Sequence, residues 1–277
     1  MTISQAEKAR TFLALHEREG CFVIPNPWDA GTARLLAGLG FEALATTSAG
    51  LAFSRGRPDG TVSREDVLAN AREIVGACDL PVSADLEGGY GDRPETVAET
   101  IRLAAEAGLV GGSIEDATGR KDDPIFDLSL ATDRVRAAVE AARSLPFPFV
   151  VTARAENFLH GRPDLDDTIR RLQAFQEAGA DVLYAPGLKS RQDIEAVVKS
   201  VDKPVNVVMG LQGATLTLEE LAEIGVKRVS LGSALSRAAI GAFLRAVREI
   251  REHGSFSFAS EAVPFADINR MFAKYLP

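Results

Sequence analysis

A chain of 277 residues, 46% hydrophobic and 25% charged, can bury one large core without disulfides or a structural metal. Its net charge of −8 gives a surface that repels phosphate backbones, which argues against a nucleic-acid-binding role. Two cysteines, Cys21 and Cys78, lie outside any CxxC or Cys/His array; they read as small buried hydrophobes in a reducing cytosol, not as a zinc site.

The opening run MTISQAEKARTFLALHE reads as a charged amphipathic helix without the apolar core of a secretory signal. No apolar run approaches the roughly 20 residues that span a bilayer, so the expected location is cytoplasmic. One unit then repeats: a short run of Val, Ile, Leu and Ala, a turn, and an amphipathic helix. Such continuous apolar runs mark strands buried on both faces of a parallel sheet. They are expected at Phe22–Pro25, Ala43–Thr47, Val82–Asp85, Gly112–Glu115, Phe149–Arg154, Val182–Ala185, Val205–Val208 and Val229–Leu231.

Ser63-Arg-Glu-Asp66 reads as a capping box opening a helix to about Ala77. Helices over Arg93–Ala107, Asp164–Ala178 and Thr217–Ile224 are each followed by a glycine stop, at Gly108, Gly179 and Gly225. Eight strand–helix units in one domain predict an α/β fold, the (β/α)₈ TIM barrel. An open doubly wound sheet would carry a Gly-rich fingerprint after its first strand, and NPWDAG is not one. Residues 255–277 carry more apolar side chains than the eighth unit needs, and read as a C-terminal extension that caps the barrel or packs on a neighbouring subunit.

In such barrels the chemistry lies at the C-terminal strand ends. Asp85 and Glu87 are two apart, so on an extended chain they face one side, and Glu115 comes from the adjacent strand. Acids crowded there repel one another unless a cation sits among them, and oxygen-only donors suit Mg²⁺ or Mn²⁺. The competing reading is a helix cap with salt bridges to Arg93 or Arg154. Arg154 reads as the anion-holder, since its planar fork matches a carboxylate; alternatively it neutralises the acids. Glu156 is placed to orient Arg154 or the metal's waters.

These residues resemble a known family. SADLEGGYG is similar to the strand-3 signature DxDxGyG of the isocitrate lyase/phosphoenolpyruvate mutase superfamily. SIED at 113–116, TARAE, NPWDAGTARL, and TTSAG followed by RPD resemble further elements of that superfamily, in order from about residue 20 to 250. The resemblance implies Mg²⁺ held by Asp85, with Glu87 and Glu115 reaching it largely through water. It implies a substrate carboxylate held by amides near Ser48, Ala49 and Gly50 together with Arg154, and Asp59 close to the reacting group. It implies chemistry at the carbon next to a 2-oxo acid through an enolate, a last helix exchanged between subunits, and dimers of dimers.

The chain departs from that pattern after strand 4. Lyases of the superfamily carry KKCGH or KRCGH there, whereas this chain has DATGRKDDPIFD, without Cys or His. The asparagine pattern of the phosphonate-forming mutase is missing as well. Lys121, Asp122, Asp123 and His160 are the loop candidates for proton transfer.

The expected site therefore comprises catalytic Asp59, Arg154, Glu156, His160 and Lys121, a substrate-binding set of Thr47, Ser48, Ala49, Gly50, Arg154 and Asn206, and metal-holding Asp85, Glu87 and Glu115. The expected activity is Mg²⁺-dependent cleavage, decarboxylation or hydrolysis of a small 2-oxo acid by a homo-oligomer. C–P mutase or hydrolase chemistry and a non-catalytic keto-acid binder are the alternatives. A Schiff-base aldolase would need a lysine in the barrel mouth, and Lys189 and Lys203 do not supply one. A phosphate site at GLQG and LGS competes with simple turns.

Overall fold

The computed structural model describes residues 3–275. Its strands are β1 (Phe22–Ile24), β2 (Leu44–Ala45), β3 (Val82–Asp85), β4 (Gly111–Glu115), β5 (Val150–Arg154), β6 (Val182–Tyr184), β7 (Val205–Val208) and β8 (Arg228–Ser230). The helices are α1 (Gln5–Glu17), α2 (Ala30–Gly38), α3 (Ser48–Ser54), α4 (Arg64–Ala77), α5 (Pro94–Glu106), α6 (Leu128–Arg143), α7 (Leu165–Glu177), α8 (Arg191–Lys199), α9 (Leu218–Glu223), α10 (Ala234–His253) and α11 (Phe265–Ala273). All eight strands are parallel and run in the order β1-β8-β7-β6-β5-β4-β3-β2, a barrel closed except between β1 and β2. At that seam the Ala45 amide donates to the Pro25 carbonyl at 3.1 Å. Asn26 adds a second bond there, its Nδ2 donating to Thr46 O, while on the other side its Oδ1 accepts from the amides of Leu231 and Gly232 just after β8.

Each strand turns alternate side chains outward against the helices and inward to the axis. On β5, Val151 and Ala153 join the outer core, while Val150, Thr152 and Arg154 point inward. The lowest inner layer is apolar: Phe22, Ile24, Val110, Val150 and Val182 pack on Phe12 of α1, which plugs the N-terminal end. Phe12 is fully buried, and its truncation to Ala should cost about 3–5 kcal/mol. Above it the inner side chains turn small and polar, with Ser83, Ser113, Thr152, Asn206 and Ser230, so the axis stays open toward the mouth.

Helices stop at glycine as expected; Gly108 and Gly179 sit at φ of 92° and 98°, where a Cβ would be strained. Two local expectations change. Ser63 caps α4, but the box is only half made, because Asp66 pairs with Arg55 at 2.8 Å. The second strand is two residues long, because Thr47 leaves it to accept the Gly50 amide and cap α3, a helix not foreseen. Cys21 and Cys78 are half-buried against the core, and burial pushes both thiols up, Cys21 to about 11. Among the described residues no helix is long and apolar enough to cross a membrane.

Candidate active site

A cavity of about 700 Å³ opens at the C-terminal end of the barrel and reaches down its axis. Its centre is Arg154. Nη1 donates to Asp85 Oδ1 at 3.0 Å, Nη2 stands 3.1 Å from Glu115 Oε2, and Nε donates to Glu156 Oε1 at 2.8 Å. The guanidinium also stands 5.1 Å from the Tyr184 ring centroid. One cation thus engages three carboxylates, each from a separate position on β3, β4 and the end of β5. Arg154 is thus paired with the acids in this arrangement, whereas Arg93 pairs outside with Glu95.

Glu156 is held from behind. Its amide donates to Asp116 Oδ1 at 2.8 Å, and Asp116 is paired with Arg171, which also binds Asp167. This buried relay joins residues 55 positions apart, which is why no sequence pattern exposed it.

Asp85 is anchored by its own amide to Thr46 Oγ1 and by the Ser48 hydroxyl, which donates to Oδ2 at 2.9 Å. Glu87 does not follow by strand alternation. It lies beyond the end of β3 with φ 48°, so the extended-chain argument does not apply to it; a left-handed backbone aims it at the same cavity. Tyr90 is left-handed too, at φ 63°. Arg134 of α6 fastens this loop, donating to the carbonyls of Gly88, Gly91 and Asp92 and stacking on Phe126. Arg134 was not anticipated; its position inside a helix of mixed charge carried no signal.

Burial and the nearby Asp85 and Asp59 charges push the Glu87 carboxyl up to about 7. Desolvation and the Asp85 charge also raise Asp59, and burial raises Glu115 and Glu156. The acids outnumber the one guanidinium among them, and Glu87 Oε1 is buried without a partner. Among the described residues no three His, Cys, Asp or Glu side chains converge closely enough to ligate one ion by themselves, so Asp85, Glu87 and Glu115 are not a closed metal triad. Surplus negative charge, oxygen-only donors and an orphaned carboxylate oxygen fit a divalent cation that keeps much of its water.

Of the remaining expected residues, Thr47, Ser48, Ala49, Asp59, His160 and Asn206 line the cavity. His160 is half-buried, and burial together with Arg154 pushes its imidazole down, toward the neutral form. Gly50 is not on the wall, and its amide is spent on Thr47; its lack of a side chain instead admits Thr47 and Trp28. Lys121 is a correction. Residues 117–125 close on themselves through a bridge from Ala117 to Ile125, and Arg120 ties them to Asp92 at 2.6 Å. Lys121 is left at the exposed tip, away from the cavity. Asp123 is paired with Arg120.

Residues 12–251 match the family model described as phosphoenolpyruvate phosphomutase. A solved structure from Burkholderia cenocepacia J2315, provisionally described as a lyase/mutase, superposes with a TM-score of 0.95 at 65% identity, covering 97% of this chain and 96% of that one. The 2-methylisocitrate lyase of Bacillus subtilis (strain 168) is 28% identical over 91% of this chain and 84% of its own. Oxaloacetate acetylhydrolase, solved with its product oxalate, gives a TM-score of 0.85 at 27% identity, covering 97% of this chain and 94% of that one.

Proposed function

The chain belongs to the phosphoenolpyruvate phosphomutase family, within the isocitrate lyase/phosphoenolpyruvate mutase superfamily of lyases and mutases, and from that premise we propose that it is a Mg²⁺-dependent lyase-type enzyme acting on a small 2-oxo acid, or on a C–C adduct of one, through an enolate. The observation that carries this reading is the excess of cavity-lining carboxylates, Asp59, Asp85, Glu87, Asp92, Glu115 and Glu156, over the guanidiniums of Arg134, Arg154 and Arg228. Mn²⁺ would serve the same oxygen donors.

In this reading Asp85 holds the ion, with Glu87 and Glu115 reaching it through water. An ion held there would supply Lewis-acid charge to a bound 2-oxo acid. Arg154 is held by Glu156 and Tyr184, and a substrate carboxylate would take the N–H that each terminal nitrogen keeps beyond those facing Asp85 and Glu115. The Ala49 amide in the first turn of α3 completes that pocket, while the Ser48 amide is given to Asp85 Oδ2 at 3.3 Å. For an oxaloacetate-like acid the C3–C4 bond breaks, CO₂ leaves, the electron pair passes into the enolate, and C3 takes a proton. Asp59, held toward its protonated form, is the group assigned to that proton, with neutral His160 across the mouth.

The C-terminal helices support a homo-oligomer. Ser236 is the only buried residue of α10, and Ile240, Phe243, Leu244, Val247 and Ile250 stand exposed at helical spacing, as do Phe256, Val263, Phe265 and Met271 beyond. We assign this face to a second copy, with the described part of the extension, 255–275, in the contact; α11 itself returns to α2, where the Tyr275 hydroxyl donates to Arg34 O.

Steady-state assays of pyruvate release from oxaloacetate and alkylmalates, with Mg²⁺ and with EDTA, test the function. Turnover abolished by chelation and restored by Mg²⁺ is expected; turnover indifferent to EDTA sinks the reading.

A further inference from the structure

The floor of the cavity carries a cation that the chemistry above does not use. Arg228 begins β8, is 5% exposed, and lines the cavity from below. Its Nε donates to Asn206 Oδ1 at 2.8 Å, its Nη2 to Thr152 Oγ1 at 3.0 Å, and its Nη1 stands 3.3 Å from His16 Nε2. Among the described residues no carboxylate pairs with it. His16 cannot supply charge either: its Nδ1–H is committed to Phe12 O at 2.8 Å, so Nε2 receives the arginine's proton as a neutral acceptor. Burial and the Arg228 charge accordingly push His16 down to about 3.

A guanidinium has five N–H donors, and three are spent here on neutral partners. One N–H on each terminal nitrogen is uncommitted, in a barrel interior floored by Phe22, Ile24 and Val150. A buried cation compensated only by neutral groups costs several kcal/mol unless an anion joins it. Thr152 lies two residues before Arg154 on the same face of β5, so Arg228 meets the wall roughly 7 Å beneath the Arg154 level. A four-carbon diacid has about the length needed to connect the two levels.

We infer that Arg228 is a second anion-binding residue of this site, taking one carboxylate of a dicarboxylic 2-oxo acid whose other end meets Arg154. This rests on the lyase reading for the identity of the upper end, and it narrows the substrate class to dicarboxylates over monocarboxylates.

Calorimetric titration of the full-length protein in Mg²⁺ with inert acids tests it, in pairs of one diacid and one monoacid of matched length: succinate against butyrate, and methylsuccinate against 3-methylbutyrate. In the wild type the diacid of a pair binds roughly ten-fold tighter or more, the weight of a charge-assisted hydrogen-bonded contact. In R228Q the diacid falls to within about two-fold of the monoacid, whose own affinity is unmoved, and R228K restores part of the difference. If melts show R228Q unfolded, the wild-type pairs decide alone. Equal affinity for diacid and monoacid, or no measurable binding of either, overturns the inference. The two readings fail separately. A diacid preference without turnover of any 2-oxo acid sinks the lyase and leaves Arg228 as an anchor, while Mg²⁺-dependent turnover with no diacid preference does the reverse.

Discussion

Arg154, the last residue of β5, and Glu156, two residues on, meet side chain to side chain. The Nε–H···Oε1 bond of 2.8 Å leaves both terminal nitrogens of the guanidinium facing Asp85 and Glu115. Glu156 is almost wholly buried, its side chain 3% exposed, so this bond is shielded from solvent.

That arrangement makes Arg154→Lys a severe change. An ammonium cannot hold Glu156 and present a planar fork at once. The expected loss in kcat/KM toward the best 2-oxo acid is about 10²–10³-fold, with the protein still folded. Arg154→Gln, which strands three carboxylates, should also lower stability by about 3–5 kcal/mol, read by denaturant unfolding. A lysine variant with wild-type turnover would show that Arg154 serves only to neutralise the acids.

Glu87 allows a test by metal removal. With its folded carboxyl raised to about 7, the sign is fixed: the group favours the folded state below its unfolded pKa near 4.5, and that contribution is lost as pH rises through about 7. Metal-free wild type therefore carries an unfavourable buried charge at pH 8 that Glu87→Gln removes. After discounting for partial exposure, the variant should be stabler by about 1–2 kcal/mol, a melting shift of roughly 2–4 °C. The gap should close by about pH 4.5. Added Mg²⁺ should raise the wild type more than the variant; equal shifts would detach Glu87 from metal binding.

The apolar face of α10 predicts an assembly. Light scattering of the wild type should give a dimer or a dimer of dimers, and Phe243→Glu, on a side chain 65% exposed in the isolated chain, should shift it toward monomer. The barrel should stay folded by circular dichroism, because no buried side chain changes. A wild type that is monomeric at micromolar concentration would leave that face without its assigned partner.

The barrel was legible because its parallel strands are buried on both faces, so each reads as an apolar run of its own; β3 and β7 match their expected limits at both ends. Asp85, Glu115 and Arg154 were legible because a charge at the end of such a run has few other uses. The shape of the chain after β3 was not. Nothing in DLEGGYG states that Glu87 and Tyr90, neither of them glycine, take the left-handed backbone; the fastening of that loop by Arg134 makes this possible. The place of Lys121 was not legible, because a charged loop reads the same whichever of its residues reaches the cavity; here Thr118 and Gly119 border it and Lys121 stands exposed at the tip. The Arg228 cluster was invisible because its members, His16, Thr152, Asn206 and Arg228, come together only when the barrel closes.

The seam between β1 and β2 bears on access. Elsewhere the wall is held by strand ladders, but here one backbone bond, Ala45 N–H to Pro25 O, and one side-chain bond, Asn26 Nδ2–H to Thr46 O, join the ends of the two strands. Each such bond contributes only about 1 kcal/mol net. The barrel can therefore widen at this stave at small cost while the other seven keep register. The segment freed by that widening is Thr46–Ala49, on the cavity wall beside Asp85. Removing the Asn26 amide would therefore loosen the cavity wall at the one place where it borders Asp85 without a ladder behind it.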